Sequence, residues 1–195
     1  MKFDMKEAFW LFKPQTCEVS DEKVMIKTDP NTDFWQRTYY GFQNDNAPAL
    51  LIKTEEQYFS FIVKTEFDSQ QRFDQCGVII YQNSDNWFKA SIEYENNDIQ
   101  RLGSVVTNHG YSDWATTDIP TEKKEMYYRL SRRQSDYCIE NSYNGIHFKQ
   151  MRIFHLFEGD GEIQLGLYAC SPEDSSFTAT FTEIQFTECQ WLEHE

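Results

Sequence analysis

Apolar and polar residues alternate with a period of two along most of the chain, and turn-forming clusters interrupt the alternation roughly every eight to twelve positions. Successive side chains of a strand point to opposite faces, so this pattern predicts many short strands, each with one buried face. Candidate strands cover 17–19, 24–28, 36–40, 49–53, 58–67, 77–82, 87–95 and 101–108, then 126–133, 136–142, 147–153, 162–170 and 176–187. The separators, among them DPNTD, NDNAP, NND, YNG, EGDG and SPEDS, carry the residues that turns require. Asn144-Gly145 predicts a two-residue hairpin turn of type I′. No segment predicts a helix longer than a turn or two, and 120–125 (PTEKKE) reads as a charged loop. The expectation is an all-β sandwich or barrel, one domain over 1–190 with a polar tail at 191–195.

Two segments add detail. In the last strand Phe177, Ala179 and Phe181 share a face, then Ile184 and Phe186 take over the apolar role, which predicts a one-residue bulge near Thr182-Glu183. In the strand from Trp87 to Glu95, Phe88, Ala90, Ile92 and Tyr94 form a core face. Trp87, Lys89, Ser91, Glu93 and Glu95 form the other face, left free for solvent or a ligand. A tryptophan on a polar face exposes a large apolar area, and Arg129 on a neighbouring strand is the expected charge partner of Glu93. Such a face, with a ring for stacking and charged groups for hydroxyls, suits a sugar.

Aromatic residues make up 16% of the 195, which excludes a disordered chain. The formal charge of −14 disfavours a nucleic-acid partner or an anionic membrane. Five cysteines at 17, 76, 138, 170 and 189 form no CxxC pair, and most sit in apolar strand patterns. They read as buried, reduced thiols, and without a signal peptide or an apolar membrane span the expected location is cytoplasmic.

DQCGVIIY (Asp74 to Tyr81), NWFKASIEY (Asn86 to Tyr94), GSVVTNHGYSDW (Gly103 to Trp114), SYNGIHFKQMR (Ser142 to Arg152) and LGLYACSP (Leu165 to Pro172) occur in that order. With TDFWQRTYYGF near the N-terminus, they resemble a family of unknown function that includes the fungal regulation-of-enolase protein. The resemblance implies a concanavalin A-like jelly-roll sandwich of two antiparallel sheets, and no general activity. The matching positions are Trp35, Asp74, Gln75, Gly77, Trp87, Lys89, Glu93, Thr107, Ser112, Asp113, Trp114 and Arg129, with Arg152, Gly166, Ser171 and Pro172 beyond them. His147-Phe148 departs from the tryptophan-bearing end usual after Asn144-Gly145, and Cys76 takes a small-residue position.

The expected function is a non-catalytic module that binds a carbohydrate or a sugar-like small molecule through Trp35, Gln75, Trp87, Lys89, Glu93, Trp114, Arg129 and the rim residue His109. One alternative is a cytoplasmic regulatory protein that binds a metabolic enzyme. Another is a β-glycoside hydrolase using Glu93 and Glu95, whose i, i+2 spacing suits a retaining carboxylate pair, although the third acid, Asp98, falls in the Asn96-Asn97 turn. The four histidines lack metal-site spacing, no calcium-loop run is present, and no nucleotide or nucleophile motif occurs, so no cofactor or metal is expected.

Overall fold

The computed structural model describes residues 3–192. Sixteen strands, numbered in chain order, make up two large antiparallel sheets and one small one. The first sheet runs β1 (Phe9–Leu11), β6 (Ala49–Thr54), β15 (Ile163–Cys170), β8 (Gln75–Asn83), β9 (Asn86–Tyr94), β10 (Ile99–Asn108) and β11 (Tyr111–Pro120). The second runs β14 (Lys149–His155), β13 (Asp136–Ser142), β12 (Glu125–Arg133), β7 (Tyr58–Phe67), β16 (Thr178–Thr187), β3 (Lys23–Lys27) and β2 (Thr16–Val19). β4 (Phe34–Gln36) and β5 (Gln43–Asp45) pair with each other as a two-stranded flap. Among the described residues there is no helix, and hence none long and apolar enough to cross a membrane.

The alternation builds the sandwich. Phe88, Ala90 and Ile92 of β9 meet Tyr128 and Leu130 of β12 and Phe61 and Val63 of β7 in the core between the sheets. β16 bulges between Thr182 and Gln185, with Glu183 at φ 52°, so that Phe181 and Phe186 both reach β7. This is the bulge its phase change predicts. A second apolar cluster lies on the other side of the first sheet, where Phe34, Trp35 and Ala47 of the flap region cover Ile79, Trp87 and Tyr168. The central strands of this sheet are therefore buried on both faces. Trp87 is fully buried and Lys89 is 4% exposed, so the β9 face expected to be free is covered by the flap.

Local expectations fail where sequence pattern and backbone disagree. Residues 36–40 form no strand past Gln36, because Arg37, Tyr39 and Gly41 adopt φ of 58°, 62° and 76°, and strands need φ near −120°. The Asn144-Gly145 loop is wider than a two-residue turn: Gly145 alone has positive φ, and Asn144 Oδ1 instead accepts from the amides of Ile146 and His147. Cys76, Cys138 and Cys170 are buried, Cys17 and Cys189 are half-buried, and all five are free thiols. Of the expected tail, Glu193–Glu195 lies outside the described residues.

Candidate ligand-binding site

Cross-strand register places the site's chemistry in rows across the outer face of the first sheet. Lys89 lies between Ile79 of β8 and Val105 of β10, and Val105 faces Trp114 of β11. In a parallel row Gln75 pairs with Glu93, and Glu93 with Arg101. Between them run Gly77, Ser91 and Gly103, three small residues side by side. At Gly77 a Cβ would run into the Ala90 carbonyl of the neighbouring strand. Gly103 also seats Trp114, whose Nε1 would lie 3.0 Å from a Cβ at that position.

A pocket of about 300 Å³ opens over these rows, within the range of small-molecule sites. Asp33, Asn44, Gln75, Lys89, Glu93 and Glu173 supply its polar groups, and Trp35, Tyr40, Phe42, Phe73 and Trp114 supply its aromatic walls. Lys89 Nζ donates to Gln75 Oε1 at 2.9 Å and to Asp33 Oδ1 at 3.2 Å, so the buried cation is paired and tied to the flap. Gln75 is fully engaged: its Oε1 also accepts from the Tyr168 hydroxyl at 3.0 Å, and its Nε2 donates to the Phe73 carbonyl and to Glu93 Oε2, each at 3.2 Å. Glu93 Oε1 is buried without a hydrogen-bond partner among the described residues. Burial lifts the Glu93 carboxyl to about 7, against the opposing pull of Lys89.

The walls are braced from outside. Glu95 pairs with Arg72 at 2.8 Å and with Arg101 at 3.2 Å. Arg72 lies over the Phe73 ring at 4.5 Å and Arg101 over the Trp114 ring at 5.6 Å. One carboxylate thus links two arginines, each steadying one wall. The flap is pinned by Arg37, which donates to the Gly110 carbonyl at 2.7 Å and pairs with Asp85 at 3.2 Å.

Five of the eight predicted residues meet in this pocket: Trp35, Gln75, Lys89, Glu93 and Trp114. Trp87 lies one layer below, packed on Phe34, with its Nε1 donating to the Ser84 carbonyl. Arg129 belongs to β12 in the second sheet, where its guanidinium grips Glu140 at 2.6 and 2.8 Å, so it is no partner of Glu93. Alternation put it on a polar face but could not say of which sheet. His109 sits in the β10–β11 turn, stacked on Phe157 and away from the pocket. Sequence reasoning passed over Asp33, Tyr40, Phe42 and Phe73; three of them stand in the TDFWQRTYYGF segment, whose density of rings was the available signal.

A family model described as a protein of unknown function (DUF1349) matches residues 10–189. The chain belongs to the DUF1349 family. This DUF1349 chain is 29% identical over 184 residues to the Saccharomyces cerevisiae protein named "Regulation of enolase protein 1", covering 94% of this chain and 91% of that one. A solved S. cerevisiae protein described as functionally unknown superposes with a TM-score of 0.87 at 28% identity, over 95% of this chain and 98% of that one. Likeness of fold extends to a legume lectin-like domain from Entamoeba histolytica (TM-score 0.59, 10% identity, 96% of each chain). It extends also to 38% of the GH43 protein BlXynB (K247S mutant) from Bacillus licheniformis (TM-score 0.72, 14% identity, 96% of this chain). The DUF1349 fold here is a concanavalin A-like jelly-roll sandwich.

Proposed function

We propose that this protein is a non-catalytic binding module that holds a carbohydrate or a sugar-like polar molecule in the pocket between the flap and the first sheet. The observation that carries this reading is the pairing of aromatic walls with a pre-wired polar base. Sugars present apolar C–H faces to rings and hydroxyls to charged groups, and a fixed base lowers the ordering cost of binding. Glu95 does not line the pocket and is engaged by two guanidinium groups, so the Glu93–Glu95 hydrolase pair finds no support in this geometry. A glycan array probed with wild-type protein should give a defined set of positives, which Trp114→Ala and Lys89→Met should each lose while the unfolding transition of Trp114→Ala persists. An array blank at high protein concentration would sink the proposal.

A second reading, a cytoplasmic regulator that binds a metabolic enzyme, draws on the name of the yeast relative and on the exposed rings of Tyr39, Tyr40 and Phe42 at the flap tip. The free thiols support a reducing location. Co-purification of a stoichiometric enzyme partner, lost on Tyr39→Ser, would favour it over the sugar reading.

A further inference from the structure

We propose, building on the sugar-binding reading, that the ligand carries a positively charged amine, seated against Trp35, Tyr40 and Trp114 with Glu93 and Asp33 as its counter-charges. The pocket's hydrogen-bonding inventory points this way. Gln75 has spent its amide on Phe73, Glu93, Lys89 and Tyr168, and Lys89 is held by Gln75 and Asp33. What remains buried and unpartnered is Glu93 Oε1, a pure acceptor once the carboxyl is ionised, so a donor on the ligand completes the site in that state.

Charge agrees. Among the described residues, Asp33, Glu93 and Glu173 line the pocket against the single cation Lys89, so an anionic sugar would meet an acidic surface whose lysine is already paired. The wall chemistry agrees as well: Trp35, Tyr40 and Trp114, joined in edge-to-face pairs at 73° and 83°, bring three rings to the pocket, and cations bind to ring faces. The same region already uses this contact internally: Arg101 lies over Trp114, and Lys89 lies 5.8–5.9 Å from the Tyr168 and Trp87 rings.

The charged groups facing Glu93 are Lys89 and Arg101, which favour its ionised form, and Asp33 and Glu95, which oppose it. An arriving ammonium adds to the first pair, so binding near neutral pH should release protons. The test measures affinities at pH 7 by titration calorimetry for the hexose, 2-amino-2-deoxyhexose and hexuronate forms of the gluco, galacto and manno configurations. At least one amino sugar should bind about tenfold or more tightly than its neutral counterpart. Repeating that titration in buffers of different ionisation enthalpy should show proton release. Glu93→Gln should bring the amino and neutral forms to within about twofold; Asp33→Asn serves the same purpose if the first variant fails to fold. A neutral hexose bound as tightly as its amino form, or a preferred hexuronate, would overturn the amine assignment and leave the sugar-binding reading standing. Silence from every probe, with positives on the glycan array, would likewise overturn the amine alone; silence on both would overturn the wider reading too.

Discussion

Burial raises the Glu93 carboxyl to about 7, above its ordinary 4.5, so the folded protein holds that proton more tightly than the unfolded chain does. The stabilisation this confers is complete below about 4.5 and is lost as pH rises through about 7. Chemical denaturation of wild type and Glu93→Gln across pH 4 to 8 should therefore show wild type losing about 3 kcal/mol relative to the variant between those limits. A constant difference would mean that Glu93 titrates normally. Two positions along the same strand face from Lys89, Trp87 plays a different part. Its indole is fully buried beneath Phe34, so Trp87→Ala should cost about 3–5 kcal/mol of folding stability, read as a lowered denaturation midpoint. The sequence placed Trp87, Lys89 and Glu93 correctly on one face. It could not show that a segment some fifty residues earlier covers that face, as the Lys89–Asp33 pair attests.

Elements were legible in proportion to their apolar alternation. β7 was readable because its buried and exposed positions alternate, and β8 and β9, covered on both faces, were readable from their apolar and aromatic runs between turn residues. β11 was not: on this edge strand only Ser112 and Ile119 are buried, and its ten residues carry little periodic signal. The flap escaped because its turn, Arg37 to Gly41, runs through left-handed backbone at ordinary side chains, which no composition rule marks. Arg37 is the flap's tether to the β10–β11 turn. Arg37→Ala should raise amide exchange in Phe34–Asp45 by about tenfold or more while exchange in β7 and β12 stays unchanged. Uniform loosening of the whole protein would show that the flap does not open independently.

At the scale of the molecule, the two sheets share one interior but differ outside. The first carries the flap and the pocket, and the second presents paired charges such as Arg129–Glu140. That division follows from which sheet the segment between β3 and β6 crosses, a long-range fact invisible to local pattern. Connectivity has a further consequence, in time rather than space. β15 joins β6 to β8, and β16 joins β7 to β3, so the last two of the described strands sit inside the two sheets rather than at their edges. During synthesis neither sheet can close until those strands have left the ribosome, and the earlier strands must wait with open edges that favour misassociation. A chain ending at Ser176 should accordingly show no cooperative unfolding transition and should be retained by a chaperone. Adding residues 177–192 as a separate peptide should restore the transition, because the missing piece is an interior slot of defined register.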